Sequence, residues 1–496
     1  MLFNSYIFIF LFFPICLAGY YLLVHYKQKE LAKFFLTAMS FWFYGYFQIQ
    51  YLLIMVLSIA GNYFFHILLS RSKSRIYAKM LLIMAITANL GVLFYFKYYD
   101  FFVENINAVW KTSFLLKHVL LPLGISFFTF QQIGFIVDTY RGEVRDCGFL
   151  TYALFVSFFP QLIAGPIVRQ SEMLPQFDKI TDKEIDWEKI DKGFMLFIAG
   201  LFKKVILADT LGAGVDYGYT NLALVGRAEA IIVIIAYSLQ LYFDFSGYCD
   251  MARGIGSMLG IEIPVNFDSP YRARNIIDFW KRWHITLNRF FTSYVYIPLG
   301  GNRKGQMRMY GNLLLVFLLS GIWHGAGWNF IVWGMMHGIL YVITRWWQYN
   351  KKTTNVSHGI YHKMMAQLSK ICLFLYVSIA WVYFRAQDIA QANTLLMLAF
   401  RGKLQKLSLD FAECFALDEL WYVLKVLHLD KFSFSGYILM FFMLAAGLAL
   451  TLLGRNAGEI VDRMRGKVFS SVLFGLVFVW CILSFSQVST FLYFNF

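Results

Sequence analysis

Residues 320–328 read Ser-Gly-Ile-Trp-His-Gly-Ala-Gly-Trp and set one ionisable imidazole, His324, between apolar runs. An ionisable side chain at bilayer depth is costly and marks a functional site by default. Imidazole titrates near neutral pH, so His324 can act as general base toward a hydroxyl or accept an acyl group transiently. The alternative is a core histidine satisfied by a backbone carbonyl. Gly321, Gly325 and Gly327 strip bulk from the backbone around it, which admits either a ligand or a second helix.

A second imidazole, His284, closes the run Phe279-Trp280-Lys281-Arg282-Trp283-His284, 40 residues before His324. Helical spacing cannot join the two, so they meet only if the fold brings them together. Asp244 and Asp250, at the end of an apolar span, are candidates to orient an imidazole and raise its basicity. His337 follows His324 by 13 residues and would face another side of a continuous helix, which predicts a structural or supporting role. His358 and His362 have metal-pair spacing, but no acid lies near them, and the six cysteines are scattered without CxxC pairing. Neither a metal site nor a disulfide framework is expected.

Between Ser269 and Arg308 the cations are Arg272, Arg274, Lys281, Arg282, Arg289, Arg303, Lys304 and Arg308, with Asp278 as sole acid. Interleaved with Phe279, Trp280, Trp283, Phe290 and Phe291, they suit an amphipathic or re-entrant helix at the cytoplasmic face. Arg272, Arg274, Lys281, Arg282, Arg289 and Arg303 could hold the phosphates of a nucleotide-bearing donor. A loop touching anionic lipid would carry the same charges.

The elements that must position these residues are membrane helices. Hydrophobic residues make up 59% of the 496 and charged residues only 15%, where a soluble domain carries roughly 25% charge. Eleven apolar runs, several too long or too short for one crossing, predict about 11 to 14 hydrophobic helices in an all-α, polytopic membrane domain spanning 1–496. The N-terminus lacks a cationic region and a small-residue cleavage site, so a retained first helix is expected. Six of the eight prolines fall in two segments, Pro160 to Pro175 and Pro264 to Pro298. Broken backbone at membrane depth is tolerated where protein or a cavity faces it, so both segments read as cavity walls.

The net charge of +15 follows from the excess of cations in cytoplasmic loops and calls for no nucleic acid. Lys27, Lys29 and Lys33 mark one such loop, Arg71, Lys73, Arg75 and Lys79 a second, and Arg455 to Lys467 a third. The last helix then runs outward and leaves the aromatic tail at 491–496 outside.

No G-x-S-x-G elbow, Walker loop, HExxH helix or HxxxxD pair occurs. What remains is histidine-centred membrane chemistry, or a transporter or flippase using His324 as proton relay. Four blocks favour the first, with the transporter or flippase kept as the alternative: FFPQLIAGPIVR at 158–169, DFSGYCDMARGIGSMLGI at 244–261, NIIDFWKRWHITLNRFFTSYVYIPLGGNR at 275–303 and SGIWHGAGWNFIVWGMMHG at 320–338. With them the chain resembles the membrane-bound O-acyltransferase (MBOAT) superfamily, in particular its bacterial alginate O-acetyltransferase branch. The resemblance implies a helical ring around a central tunnel with re-entrant helices. His324 would take the catalytic histidine position and His284 the upstream partner position. It further implies a bacterial cell-membrane enzyme with no bound cofactor, taking acetyl from acetyl-coenzyme A or a carrier-linked acyl thioester. The acceptor would be an extracytoplasmic polysaccharide, often served by a separate esterase-like acetyltransferase partner; D-alanyl or other acyl transfer to teichoic acid or peptidoglycan is the alternative.

Overall fold

A computed structural model describes residues 1–144, 146–180, 185–350, 360–432, 434–487 and 491–492. His358, the side chain of His362 and residues 493–496 lie outside the described residues. Every regular element among the described residues is helical. Among the described residues six helices are long and apolar enough to cross a bilayer: Phe8–His25, Ile49–Arg71, Arg75–Trp110, Arg227–Met258, Met364–Arg385 and Ser435–Leu452. The chain forms two compact units, each assembled from three separate stretches: Met1–Ile198, Tyr248–Val265 and Met464–Phe474 in one, and Ala199–Gly247, Asn266–Arg463 and Gly475–Phe496 in the other.

In the first unit, α1 (Phe13–His25), α2 (Lys29–Gly45) and α3 (Ile49–Arg71) are joined by short turns. The loop expected at Lys27 to Lys33 is shorter than the charges suggested, because Lys33 already belongs to α2 and is buried. Its ammonium donates to Thr151 Oγ1 at 3.0 Å and to Asp178 Oδ1 at 3.1 Å. A buried amine is tolerated when paired in this way. Gln176 and Pro264, from the two proline-rich segments, both line a charged cavity of about 680 Å³, together with Lys189, Arg253, Glu262 and Arg465.

The second unit carries His284, His324 and His337. The first part of α4 (Arg227–Met258) belongs to it. Two seven-residue helices follow, α5 (Ile276–Arg282) and α6 (Ile285–Phe291), in place of one continuous amphipathic helix. Asn275 caps α5 by accepting from the Asp278 N–H at 3.0 Å. The long apolar run at 311–346 breaks into α7 (Gln306–His324) and α8 (Trp328–Asn350), and α9 (Ile360–Arg385) packs alongside. The break falls at Gly325, whose extended backbone ends α7 directly after His324.

Candidate active site

Glycine placement fixes where His324 stands. A methyl group on Gly321 would lie 2.5 Å from the Phe330 carbonyl oxygen, and one on Gly334 would lie 2.5 Å from that of Phe317. The two helix backbones of the α7–α8 hairpin therefore touch, as small residues permit. A methyl on Gly325 would overlap the Phe330 ring. The glycines beside His324 serve a second helix; the histidine is held at the C-terminal end of α7.

The His324 ring is 4% exposed. Its Nδ1 lies 2.6 Å from the Ser320 carbonyl oxygen, one turn back in α7. A carbonyl only accepts, so Nδ1 carries the proton and, in the neutral ring, Nε2 carries the basic lone pair. Trp323 and Trp333 stand edge-on at 4.8 Å between ring centroids, and Phe384 of α9 at 5.3 Å.

His284 sits between α5 and α6 with φ 46° and ψ 52°, a left-handed conformation that L residues with side chains pay for. Asn266 holds it there. The Asn266 Oδ1 accepts from His284 Nδ1 at 3.2 Å, from the Thr286 N–H at 3.1 Å and from Thr286 Oγ1 at 2.8 Å. The Ile285 N–H donates to the Asn266 carbonyl at 3.0 Å. Phe245 of α4 meets the imidazole edge-on at 4.8 Å. The kink aims the ring at α7: the His284 and His324 centroids are 6.4 Å apart, at 81° between planes. The two histidines, 40 residues apart in sequence, share one aromatic chamber.

Asp244 and Asp250 take other roles than orienting an imidazole. Lys204 Nζ lies 2.8 Å from Asp244 Oδ1 and 2.7 Å from Asp209 Oδ1, and the Leu492 N–H donates to Asp244 Oδ2 at 3.1 Å. Asp250, in the first unit, pairs with Arg253 at 3.5 Å. An amide supplies the orienting acceptor for His284, and buried charges find each other. Nothing in the sequence around Asn266 distinguishes it, whereas the paired Lys203-Lys204 inside an apolar run was a legible signal of a buried ion pair.

A cavity of about 480 Å³ adjoins this chamber at Ser320, with Trp280, Lys281, Asn288, Phe317, Tyr341 and Arg345 also among its lining residues. Asn288 closes part of its wall by donating to the Trp280 carbonyl at 2.7 Å. Of the six cations expected to share one donor site, Lys281 lines this cavity. Arg282 is bound to Asp278 at 2.9 Å and to Asp268 at 3.4 Å. The Asp278 hydrogen bond, set against partial burial, holds its guanidinium pKa above the ordinary value. Arg272 reaches toward the Gly454 carbonyl at 3.5 Å, Arg274 and Arg303 are exposed, and Arg289 is half-buried on α6. Arg345 and Tyr341 were not singled out from sequence, although they follow His337 at steps of four on α8. No cluster of three or more metal-ligating side chains occurs among the described residues.

Residues 140–385, which contain both histidines, match the model of the MBOAT, membrane-bound O-acyltransferase family. The chain is 43% identical over 422 residues to a peptidoglycan O-acetyltransferase of Helicobacter pylori, covering 80% of this chain and 79% of that protein. It belongs to the MBOAT family. This O-acyltransferase is also 34% identical over 505 residues to a probable alginate O-acetylase AlgI of Pseudomonas putida, end to end in both. A teichoic acid D-alanyltransferase of Streptococcus thermophilus is 29% identical over 250 residues, 47% of this chain. Family membership and the apolar helices make the protein a multi-pass bacterial membrane O-acyltransferase, which sets aside the transporter reading. In an acyltransferase, a histidine of fixed tautomer inside an aromatic chamber is suited to take a proton from a hydroxyl as that hydroxyl attacks an acyl carbon.

Proposed function

We propose that this MBOAT protein transfers acetyl from a cytoplasmic thioester, acetyl-coenzyme A or an acyl-carrying protein, to a hydroxyl presented from the outer side. The observation that carries the reading is the juxtaposition of His324 and His284, ring centroids 6.4 Å apart in one aromatic chamber; the Nδ1–H bond from His324 to the Ser320 carbonyl at 2.6 Å puts the basic lone pair of the neutral ring on Nε2. Nε2 takes the hydroxyl proton while the hydroxyl oxygen bonds to the acetyl carbon. The carbon–sulfur bond then breaks, and the imidazolium returns the proton to the departing thiolate. His284, turned toward His324 and steadied by Asn266, positions the acyl carbonyl or the incoming hydroxyl. Lys281 and Arg345, at the adjoining cavity, hold the charged end of the donor; of the basic segment, Lys281 is best placed for that task.

The relatives' names supply the acceptor class: one is a peptidoglycan O-acetyltransferase and others are alginate O-acetylases. These names support an extracytoplasmic glycan as the final acceptor, reached directly or through an esterase-like partner.

Incubating the purified protein with radiolabelled acetyl-coenzyme A tests the reading. Label transfer or hydrolysis is expected from the wild type. His324→Ala should lower it by a factor on the order of 10² or more, the usual loss for a general acid–base group, at unchanged membrane abundance. Normal acetylation by a well-expressed His324→Ala protein would refute the mechanism.

A further inference from the structure

Three rings pack together where the chamber of His324 adjoins the cavity. His337 is fully buried, and neither of its ring nitrogens has a hydrogen-bond partner among the described residues. The same holds for the indole nitrogens of Trp280 and Trp333. The His337 centroid is 5.2 Å from each tryptophan ring, and the two tryptophans are 6.1 Å apart. Four polar atoms without a protein partner thus fall in one cluster. Buried polar groups are overwhelmingly hydrogen-bonded, and each exception needs an explanation.

The cluster's position supplies one. Trp333 stands edge-on to His324, and Trp280 lines the cavity. Along α8, Trp333, His337, Tyr341 and Arg345 recur every four residues, a spacing that keeps them near one face. The last two line the cavity. The face therefore leads from the charged cavity to His324, with His337 midway.

We propose that His337 is a donor-contacting residue, hydrogen-bonding the amide- and carbonyl-bearing arm of the acyl thioester as it passes from the cavity toward His324. The inference rests on the reading above that the donor enters through this cavity. Indole N–H groups only donate, whereas a neutral imidazole donates with one nitrogen and accepts with the other. The guest must offer both acceptors and a donor. A thioester attached through secondary amides does so, whereas a bare hydrocarbon chain does not. No bond to His337 forms or breaks.

The test is steady-state acetyl transfer by the purified full-length protein, with acetyl-coenzyme A as the varied substrate. His337→Phe keeps an aromatic ring and removes both nitrogens; it should raise the donor KM about tenfold, the worth of one well-made hydrogen bond. Its thermal midpoint should hold or rise, because an apolar ring in place of orphaned polar atoms is neutral or stabilising. His337→Gln, which retains a donor and an acceptor, should return KM to within about threefold of wild type on the same hydrogen-bond arithmetic. A wild-type KM in His337→Phe overturns the proposal whatever its stability.

Lys281→Glu combined with Arg345→Glu reads the cavity assignment separately. If that pair leaves KM unchanged while His337→Phe raises it, the charged end of the donor lies elsewhere and the His337 contact stands. Should the phenylalanine variant fail to fold, an experimental structure of the wild type with a non-hydrolysable thioether analogue of acetyl-coenzyme A decides. A polar atom of the analogue within hydrogen-bond distance of the His337 ring supports the proposal, and a bound analogue whose arm bypasses it refutes it.

Discussion

Gly321 of α7 and Gly334 of α8 face each other so closely that a methyl group on Gly334 would lie 3.1 Å from the Gly321 Cα. This contact sets the angle of the hairpin that ends at His324. Gly334→Ala must push the helices apart against the Phe317 carbonyl. Overpacking of this kind costs about 1–3 kcal/mol. The variant should unfold at lower temperature in detergent and lose acyl transfer beyond its loss of abundance. An unchanged melting midpoint would show that the hairpin has slack.

Asn266→Ala removes one oxygen that accepts from His284 and twice from Thr286. Buried donors left without an acceptor cost roughly 1–3 kcal/mol each, and the left-handed turn at His284 loses its restraint. Acyl transfer per folded molecule should drop, and Asn266→Asp, which keeps the accepting oxygen, should retain more of it. The comparison is activity normalised to folded protein; equal activities of the two variants would exclude a role for this oxygen.

Lys204 balances two buried carboxylates, those of Asp209 and Asp244. Breaking a buried ion pair from one side costs about 3–5 kcal/mol because a buried charge is left uncompensated. Lys204→Met should therefore express poorly. Adding Asp209→Asn and Asp244→Asn should recover part of the loss, which membrane abundance and thermal midpoint would read. A triple variant no better than the single one would mean that the charges do not act as a unit.

From the excess of loop cations we propose that Arg71 to Lys79 and Arg455 to Lys467 face the cytoplasm. Single cysteines at Lys73 or Arg465, in a background without the six native ones, should resist a membrane-impermeant thiol reagent in intact cells and react after permeabilisation. Labelling of intact cells would reverse the orientation.

The sequence by itself determined the membrane class, the helical architecture, the blocks that mark the family, and His324 as the residue to watch. Each of these is written in local composition, in apolar runs long enough to span a bilayer, or in the identity of neighbouring residues. It also led to expectations that the tertiary structure revised. The basic segment divides among several environments, Lys33 is buried in α2, and Asn266 orients His284, while of the two partners expected at the glycines around His324 the structure shows the helix. Only the fold decided that His284 and His324 share a chamber and that His337 packs against Trp333 of that chamber and Trp280 of the cavity. The physical reason is that these relationships join residues far apart in the chain, 40 positions for His284 and His324 and 57 for Trp280 and His337, through a left-handed kink and a glycine hairpin. No helical period encodes such a contact, and the partner of a buried polar atom is known only once the backbone around it is placed.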